Sequence, residues 1–264
     1  GVGVYQIQLH SHLDVEDDMT RLTQHYAGVF SGFLREAAQI ARSTAAIIEQ
    51  NPHIPEHQLF AQVKSNLRQN ELVYGSAIAF APDPEYDNEL FAPYAYRAFG
   101  IIRTVDIGAL SDYTSDNWQW WDIAEETEQP IWTDPYFEEG AENIFMATYS
   151  HPFFYKDKFM GVATVDVQLD VLEKTVGDDF DPNLDLFIVT QKGDYVFHPD
   201  AAQIMSNSIY IDAEKYQRDE IRRLADKMTS GKEGVMQLRG WTDNTPQWVA
   251  FSPIPNTEWS IALR

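Results

Sequence analysis

Asp166 interrupts an otherwise apolar run, Met160 to Leu169, so the chain must either turn this carboxylate to solvent or give it a partner. A bound ligand is one such partner. Other acidic residues stand in patterns with a chemistry of their own. Asp179, Asp181, Asn183 and Asp185 place oxygens at alternate positions, as the start of a calcium loop does. An EF-hand loop also needs glycine at its sixth position and glutamate at its twelfth, where this chain has Leu184 and Thr190. A solvated linker is the simpler reading, and no metal is assigned. His10 and His12 could face one side of an extended segment and ligate a transition metal, but no third ligand stands near them. Glu125-Glu126 and Glu138-Glu139 would suit glycoside hydrolysis only if two carboxyls opposed each other across a sugar, and adjacent residues generally point different ways. There is no Gly-rich phosphate loop, Gly-x-Ser-x-Gly elbow, His-Glu-x-x-His helix or dinucleotide fingerprint, so neither an enzyme signature nor a cofactor is expected.

The elements that must position Asp166 can be followed along the chain. From Met19 the residues Leu22, Tyr26, Val29, Phe33, Ala37, Ile40, Thr44 and Ile47 recur in steps of three and four, which predicts a long helix to about Gln50. Asn51-Pro52 ends it, and Pro55 opens a second helix with the stripe Leu59, Phe60, Val63, Leu67. After Glu71 the period shortens. Strands are expected at Val73–Ala81, Phe91–Ala98, Ile101–Asp106, Ile144–Phe154 and Phe159–Gln168, followed by a short helix, Leu169–Val176. The polar stretch from Gly177 to Asn183 marks a boundary between modules. Beyond it come a hairpin, Leu186–Thr190 with Tyr195–His198, one amphipathic helix over Glu214–Thr229, and strands at Gly234–Arg239, Gln247–Ser252 and Glu258–Leu263. The expected organisation is residues 1–70 as two helices, 71–177 as a first sheet module and 178–264 as a second, an α+β plan.

Composition narrows the partners. A net charge of -22 repels phosphate backbones and anionic membrane surfaces, so nucleic acid is not expected. The absence of cysteine removes disulfides, thiol catalysis and thiolate metal sites. No run approaches the ~18 apolar residues of a membrane span. The chain starts at Gly1 without Met and stops at Arg264 directly after a strand-like stretch, so it reads as a piece of something longer.

The segment from Trp132-Thr133-Asp134-Pro135-Tyr136 through Thr148-Tyr149-Ser150-His151-Pro152-Phe153, followed by Gly161-Val162-Ala163-Thr164-Val165-Asp166, resembles the signature of double Cache sensor domains. The long helix before it and the second sheet after it agree, so the resemblance covers essentially the whole chain. It implies two PAS-like modules, a small-molecule ligand in the membrane-distal one, a homodimer through the N-terminal helix, and a transmembrane helix on each side of the fragment. The implied location is the periplasmic or extracellular face of the cytoplasmic membrane. The implied whole is a receptor, most like a sensor histidine kinase, with chemoreceptor or cyclase outputs as alternatives. A periplasmic carboxylate-based hydrolase and a free-standing solute-binding protein are the rivals from other classes.

The resemblance also implies a site. Tyr113, Trp120, Trp121, Tyr136 and Asp166 fall on positions that hold ligand in amino-acid-binding members, but Trp118 stands where those members carry an arginine. A guanidinium binds a carboxylate through two parallel hydrogen bonds, and an indole offers one neutral donor. The expected ligand therefore carries an amine or quaternary ammonium and needs no α-carboxylate, with aromatic faces and carboxylates at Asp134 and Asp166 receiving the cation. Arg97 or Arg103 would be the replacement anchor. Thr148, Tyr149 and His151 lie on the adjoining strand, where only alternate positions point inward. Set against this, tryptophans two and three apart on a short helix can simply be core, and an Asp before Pro135 can form a turn.

Overall fold

A computed structural model describes residues 2–138, 144–177, 184–204 and 206–264. The chain divides into two compact units, residues 33–172 and residues 1–32 with 173–264. Helix α1, Val2–Gln50, contributes to both, beginning well before the predicted start. Among the described residues no helix is long and apolar enough to cross a membrane.

The unit of residues 33–172 is built on seven strands: β1 Val73–Phe80, β2 Pro93–Ala98, β3 Ile101–Asp106, β4 Ile131–Trp132, β5 Tyr136–Glu138, β6 Ile144–Tyr155 and β7 Lys158–Gln168. They form an antiparallel sheet in the order β3-β2-β1-β7-β6-β4, with β5 also on β6. The long strands fall close to their predicted ranges and are buried along most of their length; β4 and β5 carry too few residues to show a period.

One sheet face is covered by α1 and by α2, Glu56–Gln69. That face buries a polar knot. Asn66 donates to Thr44 Oγ1 (2.9 Å) and Ser76 Oγ (3.0 Å), so both helices and the central strand meet at one amide. Replacing Asn66 by leucine leaves buried hydroxyls short of a donor, and the expected cost is ~1–3 kcal/mol of unfolding free energy, read by urea denaturation. Arg97 belongs to this face: its guanidinium donates to Val73 O (2.9 Å) and to Leu67 O near the end of α2. The other face carries two short helices, α3 Ile107–Leu110 and α4 Gln119–Thr127.

The second unit has five strands, β8 Leu186–Val189, β9 Tyr195–Phe197, β10 Gly234–Arg239, β11 Pro246–Pro253 and β12 Ser260–Leu263, in the order β10-β11-β12-β8-β9. Helix α5, Leu169–Gly177, precedes them in the chain. The single helix predicted over Glu214–Thr229 is two helices. Ser208 caps α6, Ile209–Lys215, by accepting from Ile211 N; the chain then passes through Gln217 at φ 51, and α7, Asp219–Thr229, starts afresh. A left-handed glutamine carries no sequence mark, and the polar run concealed the break. Phe187, Tyr195, Ile209, Ile221, Leu224 and Phe251 form the core of this unit.

Of the calcium-loop residues, Asp179, Asp181 and Asn183 lie outside the described residues. Asp185 is engaged by Arg264, whose Nε approaches its Oδ2 at 2.9 Å. Among the described residues no group of three His, Asp or Glu side chains is placed to hold a metal ion.

Candidate functional site

On the sheet face away from α1, the unit of residues 33–172 encloses a cavity of about 480 Å³. Strand register explains which residues reach it. Asp166 on β7 is paired with Thr148 on β6 and with Gly75 on β1; Gly75 is paired with Tyr96 on β2, and Tyr96 with Arg103 on β3. This row of five residues crosses five strands on the cavity side of the sheet. Residues one position away on β6 and β2, such as Tyr149 and Arg97, point to the opposite face, because side chains alternate, whereas Tyr74, at a register shift beside Gly75, also lines the cavity.

Asp166 is 5% exposed, and both of its oxygens are engaged. Oδ2 accepts from the Tyr94 hydroxyl at 2.6 Å, and Oδ1 accepts from Thr148 Oγ1 at 2.6 Å. Thr148 is in turn bonded to the Tyr136 hydroxyl at 2.5 Å. Desolvation pushes the Asp166 carboxyl above the ordinary aspartate range, while the bonds from Thr148 and Tyr94 pull it back part of the way. Glu138, also on the cavity wall, is raised by desolvation and then by the charge of Asp166. Burial and the same charge push the hydroxyls of Tyr94 and Tyr136 well above the usual phenol range, so both stay protonated donors. A carboxylate keeps lone pairs free after two such bonds, and an ammonium has three donors to give.

Aromatic rings supply the rest of the wall. Tyr94 and Tyr96 stack with centroids 5.6 Å apart and planes at 15°, and Tyr74 lies 6.5 Å from Tyr96. Trp118 and Trp120 face in from the start of α4, which is fixed to the sheet where Ser150 Oγ donates to Trp120 O at 2.6 Å. Electron-rich ring faces beside two carboxyls suit a cation.

Of the residues singled out in the sequence, Trp118, Trp120, Tyr136 and Asp166 line the cavity, and Thr148 stands directly behind Asp166 and Tyr136. The others lie elsewhere. Tyr113 and Trp121 are fully buried in the core beside α4: the Tyr113 hydroxyl donates to Phe80 O (2.6 Å), the Trp121 indole to Glu125 (2.7 Å), and their rings pack 5.0 Å apart. Asp134 braces α4, its backbone N–H donating to Gln119 Oε1 at 2.9 Å. Tyr149 and His151 have the opposite parity and face α1, where the Tyr149 hydroxyl meets Arg42 (3.4 Å) and His151 Nδ1 (3.1 Å). Desolvation first, then Arg42, holds the His151 imidazole below its ordinary value. Between the two candidate anchors, Arg103 lines the cavity, and Arg97 faces away from it. Tyr74, Tyr94, Tyr96 and Glu138 were not singled out. The alternation of Tyr94 and Tyr96 put them on one face, but only the register shows that this is the face of Asp166.

Residues 59–174 match the family described as methyl-accepting chemotaxis protein-like, first PDC sensor domain. Methyl-accepting chemotaxis protein PscA of Pseudomonas syringae pv. tomato (strain ATCC BAA-871 / DC3000) is 24% identical over 185 residues, 68% of this chain and 27% of PscA, so the chain spans about a quarter of that relative. The extracellular domain of the candidate histidine kinase soHK1S-Z6 superposes with a TM-score of 0.75 at 25% identity, covering 98% of this chain and 96% of that one. The ligand-binding domain of the amino acid chemoreceptor PctC of Pseudomonas aeruginosa PAO1, in complex with GABA, gives a TM-score of 0.63 at 18% identity over 94% and 98% of the two chains. Residues 59–174 thus resemble a PDC, Cache-like sensor domain, and the chain has the α+β fold of the extracellular domains of histidine kinase- and chemoreceptor-type receptors.

Proposed function

We propose that this chain is the extracytoplasmic sensing part of a transmembrane receptor and that a small amine, held in the cavity beside Asp166, is its signal. In this reading the full-length protein is a sensor histidine kinase, anchored by transmembrane helices on both sides and dimerising through α1. Residues 71–177 form the ligand-binding, membrane-distal module and residues 178–264 the membrane-proximal one. A chemoreceptor output is the second reading, favoured by the match of residues 59–174. The mechanism is differential binding: a ligand that fits one arrangement of sheet and helices better than another shifts the population toward it.

The observation that carries the amine is the buried, doubly bonded Asp166 with Glu138 beside it, walled by Tyr94, Tyr136, Trp118 and Trp120. Trp118, at the position where amino-acid-binding members carry an arginine, supports a ligand without an α-carboxylate. A thermal-shift screen with amines, α-amino acids, organic acids, sugars and divalent ions tests it, because binding to the native state raises the melting temperature. Amines are expected to shift it. Shifts from α-amino acids with none from simple amines would refute the reading.

Amine affinity is also expected to depend on pH with a defined sign. Asp166 and Glu138 take up protons above their ordinary ranges in the empty cavity, and a bound cation favours their ionised forms. Affinity therefore falls as the pH is lowered through that raised range, levels off above it, and is accompanied by proton release. Calorimetry in buffers of different ionisation enthalpy reads the release; an affinity that stayed flat from neutrality into the acid range would count against carboxylate recognition.

A further inference from the structure

The row Asp166-Gly75-Tyr96-Arg103 has opposite charges at its two ends. Neighbouring strands lie about 4.8 Å apart, so three spacings separate the backbones of Asp166 and Arg103 by ~14 Å. Strand side chains stand roughly perpendicular to the sheet, so the tips remain well apart unless the arginine stem leans inward. Gly75 puts no side chain into the gap, and Tyr96, stacked on Tyr94, forms the floor between the ends. Negative charge is gathered at the Asp166 end, because Glu138 is close enough for Asp166 to act on its ionisation. The cavity is thus a dipolar slot. With the side chains standing off the sheet in this way, an α-amino acid, its ammonium and carboxylate two bonds apart, is too short to engage both ends.

We infer that the ligand is an elongated dipolar amine, its ammonium at Asp166 and an anionic group several bonds away held by the guanidinium of Arg103. The inference rests on the amine reading above and specifies what the far end of that amine carries. A carboxylate is the natural partner there, since the arginine fork matches it with two parallel hydrogen bonds. Arg97 cannot serve, as its guanidinium is on the other face of the sheet with Val73 O. Trp118 lines the same cavity but brings a single neutral donor. The spacer would lie along the stacked rings of Tyr94 and Tyr96.

Matched pairs separate the two ends. Titration calorimetry of the chain compares pentylamine with 5-aminopentanoate and hexylamine with 6-aminohexanoate, with 2-aminohexanoate as the α-isomer. One added charge-assisted contact predicts that the ω-amino acids bind about tenfold tighter than their amines, and that the α-isomer gains nothing. Arg103→Gln, on the exposed edge strand, should erase the tenfold gain and leave amine affinity within about a factor of two. Equal binding of acid and amine, or an Arg103→Gln variant that weakens both alike, overturns the inference while leaving the amine reading intact. No binding by either series removes both.

Discussion

Asp166→Ala abolishes the rise in melting temperature that amines produce, while Asp134→Ala retains it. The contrast follows from where the two carboxyls stand. Asp166 lines the cavity at 5% exposure, whereas Asp134 is tied to Gln119 at the start of α4 and does not reach the cavity. Removing one partner of a buried, hydrogen-bonded charge pair costs ~2–5 kcal/mol, so affinity drops by about thirtyfold to a few thousandfold. The fold itself loses less. Asp166 is costly to ionise where it sits, and Thr148 keeps its bond to Tyr136 when the carboxyl is gone. The apo melting temperature separates the two effects: the variant must remain cooperatively folded for a lost shift to mean lost binding. Asp166→Asn serves as the second variant, preserving volume and removing only the charge. If Asp166→Ala keeps the full shift, the ligand is not in this cavity.

Most of the architecture could be read from the chain because burial imposes a period. β3 runs Ile101–Asp106, as predicted, and α2 begins directly after Pro55. Reading fails where the determinant is a conformation and not a pattern. Gln217 adopts a left-handed turn and splits one expected helix into α6 and α7, and nothing in Tyr216-Gln217-Arg218 announces it. The site shows the same division. Alternation along β6 implies that Thr148 and Tyr149 face opposite ways, but which faces the cavity depends on pairing with β7, a contact 18 residues distant in sequence. Asp166 lies far along the chain from Tyr96 and Arg103 and joins their row only through the register of β1 with β2 and β7. Trp121 illustrates the converse: its spacing from Trp118 suits a pocket, yet its ring is enclosed by Tyr113 and Phe159.

The function of the site also depends on a residue with no side chain. Gly75 lies in the central strand, paired with Asp166 on one side and Tyr96 on the other, so its backbone has little freedom to retreat. A methyl group there overlaps the Tyr94 hydroxyl, comes within 2.7 Å of Tyr94 Cε2 and lies 2.5 Å from Asp166 Oδ2. It occupies the space that the 2.6 Å bond between Tyr94 and Asp166 spans. Gly75→Ala therefore forces the phenol or the carboxyl out of position. Overpacking of this kind costs ~1–3 kcal/mol of stability, and amine affinity falls with it, because either displacement disturbs the carboxyl that receives the ammonium or the phenol that holds it in place. Tyr94→Phe removes the atom with the worst overlap, so adding Gly75→Ala in that background should cost measurably less than in the wild type. The two changes share one contact, and their effects should be non-additive by ~0.5 kcal/mol or more. A denaturation and binding cycle over the four proteins reads both quantities. Additive effects, or a Gly75→Ala variant with unchanged stability and affinity, would show that the Tyr94–Asp166 bond does not organise the cavity.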